Sequence, residues 1–190
     1  SVRAYRTYLA GDPEDRSVRI ELIRALVSAE QFPAALQEIE RLDTEGLSPA
    51  ENNQLAYLRG LGLFHGERYT EALAAFSAVR DNAYEPFLSY HTAWCLYRTG
   101  EVAEAGRTVA AVRDALPDSL YVDASYLYAW SLYQTDRTAE VVDVLLPLLG
   151  RGLTPEETAD IRGLLAGAYL AEERDDEALR QYREIVEITE

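Results

Sequence analysis

The chain has 190 residues, of which 33 are Asp or Glu and 18 are Lys or Arg, giving a formal net charge of −15. Every basic residue is arginine, so P-loop phosphate binding and Schiff-base chemistry are closed, and a surface of this sign disfavours nucleic acid and anionic lipid as partners. With 48% hydrophobic and 27% charged residues the composition is that of a folded protein, long enough for one domain or one elongated array.

In chain order, Asp12-Pro13 marks a first helix start, and Leu22 to Phe32 followed by Ala35-Leu36 reads as a helix, a short turn and a second helix. Ser48-Pro49-Ala50-Glu51 is a capping-box pattern with Pro at the first helical position, and it opens a second unit with Gly60 to Tyr69 and then Ala72-Leu73. Glu85-Pro86 opens a third, which contains Ala93-Trp94-Cys95-Leu96-Tyr97-Arg98-Thr99-Gly100. A fourth repeats that segment 36 residues later as Ala129-Trp130-Ser131-Leu132-Tyr133-Gln134-Thr135-Asp136. Thr154-Pro155-Glu156-Glu157 is a second capping box, followed by Leu165 to Asp175 and Ala178-Leu179. The column Ala35, Ala72, Ala105, Val141, Ala178 steps by 37, 33, 36 and 37 residues, and four positions later runs an apolar column, Ile39, Phe76, Val109, Leu145, Tyr182. Such a register predicts five pairs of amphipathic helices. Small residues at Gly60, Ala93, Ala129 and Ala166 let helices approach, and Leu26, Leu63, Leu96, Leu132 and Tyr169 fill the space between them. A single pair cannot bury both of its apolar stripes, so stacking is the stable solution.

These spacings resemble the tetratricopeptide repeat family, whose pattern of small and aromatic positions, Ala-x3-Phe/Tyr and a closing Pro is matched by Ala72-x3-Phe76, Ala178-x3-Tyr182, and Ala105 with Val109 and Pro117. Arg59 in a usually apolar column and Val141 in a small one depart from it. The resemblance implies an all-α, right-handed solenoid of helical hairpins. Its expected units are a leading half-repeat over 1–11, since Tyr5 stands eight residues before Pro13, and repeats over 13–46, 49–84, 86–117, 120–150 and 154–190. Ser1 opens the chain without a Met or an apolar leader, and Val186 and Ile188 run to the far end without a polar cap. The expectation is a chain excised or processed from a longer protein.

Residues at i, i+4 and i+7 share a helix face. On the first helices of the central three units that spacing gives Tyr57, Leu61, Phe64; Tyr90, Trp94, Tyr97; and Tyr126, Trp130, Tyr133, with His91 and Arg98 alongside. Eight of the nine stripe positions are aromatic. The resemblance implies that first helices line a concave face, which makes these eleven residues the candidate partner-binding groove. An aromatic row of this kind either packs internally or marks an interaction surface, where Trp, Tyr and Arg dominate binding energy. The expected function is a non-catalytic scaffold that binds a peptide or protein. The alternative is a structural or self-associating module whose stripe packs on another domain or protomer. Since the stripe runs from the least charged quarter of the chain into its acidic C-terminal half, the expected partner carries apolar anchors with Lys or Arg flanks.

No catalytic, cofactor or metal site is expected. Gly60-Leu61-Gly62-Leu63-Phe64-His65-Gly66 has the wrong spacing for a dinucleotide loop, the two histidines lack metal-ligand company, and Cys95 sits in a tight-packing column as an inert thiol. No run of residues is long and apolar enough for a membrane span. Compartment stays open, with a slight lean towards the bacterial envelope from the segment Ala115-Leu116-Pro117-Asp118-Ser119-Leu120-Tyr121. That segment resembles the inter-repeat link of envelope tetratricopeptide proteins, the barrel-assembly lipoprotein and the Tol–Pal partner among them.

Overall fold

One turn, used five times, sets the local geometry. Between the two helices of each hairpin a residue takes a left-handed conformation: Glu30, Glu67, Asp136 and Glu173 at φ 55 to 58°, and Gly100 at φ 94°. They stand in the same register as the alanine column. At the four non-glycine turns the next amide reaches back to the carbonyl five residues earlier, Gln31 to Leu26, Arg68 to Leu63, Arg137 to Leu132 and Arg174 to Tyr169, at 2.8 to 3.0 Å. This closes the first helix and launches the second.

The computed structural model describes residues 1–189. Among them are eleven α-helices and three short 3-10 turns, with no strand: α1 (Val2–Gly11), α2 (Arg16–Ser28), α3 (Phe32–Arg41), α4 (Pro49–His65), α5 (Tyr69–Phe76), α6 (Phe87–Arg98), α7 (Val102–Val112), α8 (Asp118–Gln134), α9 (Thr138–Leu145), α10 (Pro155–Ala171) and α11 (Asp175–Thr189). The 3-10 turns, Asn82–Tyr84, Arg113–Ala115 and Leu146–Gly150, follow α5, α7 and α9. Glu190, the last residue of the expected fifth repeat, lies outside the described residues.

Both capping boxes form. The Ser48 hydroxyl accepts the Glu51 amide at 3.3 Å and the Glu51 carboxylate accepts the Ser48 amide at 2.8 Å, with Pro49 at the first position of α4. Thr154 and Glu157 repeat this at α10, at 3.2 and 2.7 Å. The start expected at Asp12-Pro13 is displaced. Asp15 caps α2, its carboxylate accepting the Val18 amide at 3.0 Å, since an Asp directly ahead of a helix satisfies one of its orphan donors.

The chain divides into two compact units, Ser1–Thr99 and Gly100 onward. In the first, Leu22, Ile23, Leu26 and Ala35 form a core with Leu9, Leu42, Leu55 and Leu58. A second cluster joins Leu63, Ala72, Phe76 and Cys95. Gly60 is required here, since a Cβ at that position would overlap the Phe76 ring. The large member of the apolar column therefore stands against the smallest member of the small one. In the second unit Ala129, Leu132, Val141, Leu145, Ile161, Leu165, Ala166 and Tyr169 bury together. Smaller Leu145 replaces Phe here, and alanine suffices where the first unit needs glycine.

Candidate functional site

The structure distributes the candidate residues between the two units and gives them different surroundings. In the first unit α4 presents Tyr57, Leu61 and Phe64, all half-buried, beside the cluster of Leu63, Ala72, Phe76 and Cys95. The Tyr57 ring lies 4.8 Å from Tyr84 and 6.1 Å from Phe76. Burial, with Tyr84 and Glu85 nearby, pushes its hydroxyl up to about 12. His91 of α6 completes a nest of rings, 5.3 Å from Phe64, 6.0 Å from Phe76, 6.3 Å from Tyr57 and 5.1 Å from Tyr90. Its Nδ1 donates to the Phe87 carbonyl at 2.7 Å. Burial lowers its pKa to about 4, although that hydrogen bond works in the opposite direction. Tyr57, Phe64 and His91 thus pack on one another and on Phe76.

The rest of the α6 set is arranged otherwise. Tyr90 is buried, whereas Trp94 and Tyr97 are half-buried and meet edge to face at 5.8 Å. Arg98 is exposed and lays its guanidinium over the Tyr69 ring at 4.6 Å, a cation–π contact.

In the second unit Tyr126, Trp130 and Tyr133 form a ladder along α8. Tyr126 and Trp130 stand 6.4 Å apart with planes at 25°, and Trp130 and Tyr133 stand 6.0 Å apart at 33°. All three rings are half-buried. In α10 the same columns hold Gly163 and Gly167. A Cβ at Gly163 would meet nothing within 4 Å, and one at Gly167 would lie 3.3 Å from the Tyr133 hydroxyl. Two of the three ladder columns are thus without a side chain on the helix that follows, whereas the Tyr133 column holds Leu170, which is exposed. The Trp130 Nε1 is buried and has no acceptor among the described residues, a polar group that carries a desolvation cost.

Two features escaped the sequence reading. One is an open groove of about 610 Å3 between α7 and α8, floored by Gly106, Ala110 and Ser131 and rimmed by Arg107, Tyr128 and Arg137. Its signal was Gly106 next to the alanine column: a Cβ there would come 2.8 Å from the Ser131 Cβ. The other is the stacking of Phe32 on His65 at 4.0 Å and 10°, whose counterpart one repeat later is Arg98 over Tyr69.

As for chemistry, no group of three or more His, Cys, Asp or Glu is placed to hold a metal ion among the described residues. Cys95 is buried, and burial pushes its thiol up to about 12, far from a thiolate at neutral pH. No described helix is long and apolar enough to cross a membrane.

A tetratricopeptide repeat family model matches residues 20–86 and 57–119, together more than half of the chain. The chain belongs to the tetratricopeptide repeat family. No curated protein sequence matches it, but solved structures of this repeat class do. YrrB, described as a TPR protein with an unusual peptide-binding site, aligns at a TM-score of 0.74 with 17% identity, over 99% of this chain and 93% of YrrB. MamA of AMB-1 aligns at 0.76 with 13% identity, over 91% and 98% of the two chains. A kinesin light chain of Podospora anserina with nearly identical TPR-like repeats aligns at 0.60 with 19% identity, over 93% and 96%. At these identities the likeness is one of fold. The all-α helical-hairpin solenoid expected of the sequence is what this tetratricopeptide protein adopts.

Proposed function

We infer that the chain, as a tetratricopeptide protein, is a protein-interaction scaffold. We propose that it is non-catalytic and that it holds a peptide or protein segment against aromatic side chains of its first helices. The contacts are centred on the α8 ladder Tyr126–Trp130–Tyr133. The observation that carries this reading is a row of three half-buried rings, Tyr126 stacked on Trp130 and Trp130 tilted against Tyr133, with Gly163 and Gly167 on the next first helix. Rings packed on one side, with two glycines and an exposed leucine alongside, suit an apolar anchor from a partner. YrrB, with its peptide-binding site, is a precedent for such use of this fold.

The net charge of −15 favours a partner segment with Lys or Arg around its apolar anchor. Selection from a displayed random-peptide library tests this. Enriched sequences are expected to combine Trp, Tyr, Phe or Leu with basic neighbours, and to be lost when Trp130 is replaced by Ala. Enrichment of acidic sequences, or retention by the variant, would count against it. The similarity of the Ala115–Tyr121 link to envelope members of the family is the one feature that leans the proposed location towards the periplasm.

For α4 the structural alternative has its own support. Tyr57, Phe64 and His91 contact one another and the Phe76 ring, so in the first unit this part of the stripe serves packing.

A further inference from the structure

The ladder stripe continues one turn towards the start of α8, where Asp123 precedes Tyr126 by three positions. α10 carries the same stripe 37 residues later as Asp160, Gly163, Gly167 and Leu170, and the three rings pack against the core that α8 shares with α10. Both glycines lie inside a 17-residue helix, where glycine weakens the helix. Packing gives no reason for Gly163, since a Cβ there would meet nothing within 4 Å. At Gly167 the nearest atom is the Tyr133 hydroxyl at 3.3 Å, the far end of a side chain. Gly60 and Gly62 of α4 differ, because a Cβ there would run into Phe76 or crowd Leu36. The α10 row thus has two gaps, one helical turn apart, and then Leu170, which is 48% exposed.

Resting on the reading that the ladder holds a partner segment, we propose that this segment lies extended and seats two large apolar side chains, from alternate positions, at the Gly163 and Gly167 gaps. Lys or Arg stands beside the anchors, at the Asp160 end. Spacing and charge carry the inference. The rings step by 6.4 and 6.0 Å, and the two glycines stand about 6 Å apart along α10. An extended chain puts every second side chain on one face at intervals of about 6.6–6.8 Å, whereas a polyproline helix repeats a face at about 9 Å. An α-helix would offer a similar step, but it is about 10–12 Å wide and the gap here is only what two absent side chains leave. α8 has no basic residue, and Arg162 of α10 is held by Gln181 and Glu184 of α11. Asp160 is exposed one turn before the first gap, in the column of Asp123, which favours a basic residue at that end of the segment. The preferred motif is basic-x-apolar-x-apolar, in whichever direction the segment runs.

Titration of labelled synthetic peptides against the whole chain, followed by fluorescence anisotropy, tests this. Lys-Gly-Trp-Gly-Trp and its reverse are compared with Lys-Gly-Trp-Trp, with the helically spaced Lys-Gly-Trp-Gly-Gly-Gly-Trp, with the single-anchor Lys-Gly-Trp-Gly-Gly, and with Glu in place of Lys. The alternating peptide, in one of its directions, is expected to bind about tenfold tighter than the others. Gly163→Leu fills the first gap and suits a helix better. It is expected to raise the melting temperature and yet reduce the alternating peptide to the affinity of the single-anchor one. Asp160→Lys is expected to abolish the preference for Lys over Glu. Equal affinity at every spacing, tighter binding of the helical spacing, full affinity in Gly163→Leu, or an unchanged Lys preference in Asp160→Lys overturns the proposal and leaves the ladder as a binding site. No binding by any peptide, the single-anchor one included, overturns both.

Discussion

At the scale of single residues, the hairpin turns show where a side chain is kept against its own backbone preference. Glu30, Glu67, Asp136 and Glu173 hold left-handed φ values, a conformation costing about 1 kcal/mol or more for a residue with a Cβ. Only Gly100 avoids this. Glu67→Gly should therefore raise the melting temperature, with a gain of about 1 kcal/mol read by thermal or urea unfolding, whereas Gly100→Ala should lower it by a similar amount. Glycine here was not legible in the sequence because four of the five turns do without it. What marked each turn was the alanine column five residues on.

His91 gives a second residue-scale expectation. Its ordinary pKa of 6.5 falls to about 4 in the fold, so the folded protein favours the neutral ring. That contribution is complete above pH 6.5. As the pH falls from there the unfolded chain takes up a proton that the folded chain refuses, and the contribution is lost by about pH 4. Allowing for partial solvent access, the loss is on the order of 2 kcal/mol. Urea unfolding across that window should show the slope in wild type and a flatter one in His91→Gln. Equal slopes would place the ring in contact with water.

At the scale of helices, the fold turns on complementary volumes in two columns. Gly60 faces Phe76 so closely that a Cβ would overlap the ring, while in the second unit Ala129 and Leu145 share one core. Gly60→Ala should thus destabilise by about 1–3 kcal/mol through overpacking, despite alanine's better helix propensity. Phe76→Leu in the same chain should recover much of that loss, and a double-mutant cycle in urea would show the coupling. Additive effects would mean that the columns do not meet. The columns themselves were readable in the sequence, because small and large residues recur at steps close to the repeat length. The caps at Ser48 and Thr154 were readable too, each pairing a hydroxyl with a glutamate three residues on. The cap at Asp15 was not, since Asp12-Pro13 offered a stronger local signal.

At the scale of the molecule, repetition made the family legible, and the candidate site only in outline. Helical spacing put eight aromatic side chains on equivalent positions but could not say what each ring meets. In the first unit Tyr84, from a 3-10 turn with no place in the repeat pattern, and Phe76 draw Tyr57 and His91 into a packed nest. In the second, the columns of Tyr126 and Trp130 hold Gly163 and Gly167 on the next first helix, and only the Tyr133 column keeps a side chain there, Leu170. The difference lies in neighbours far along the chain, which no single-helix pattern contains. The division after Thr99 falls between the two helices of one sequence repeat, where the pattern shows no break.

The most direct test of partner binding at the α8 ladder is the affinity of a library-selected basic peptide for wild type and for Trp130→Ala, measured by titration at a temperature where both are folded. The expected result is a loss of about 30-fold, or about 2 kcal/mol, in a variant that keeps its helical circular dichroism. Unchanged affinity in the folded variant would contradict it.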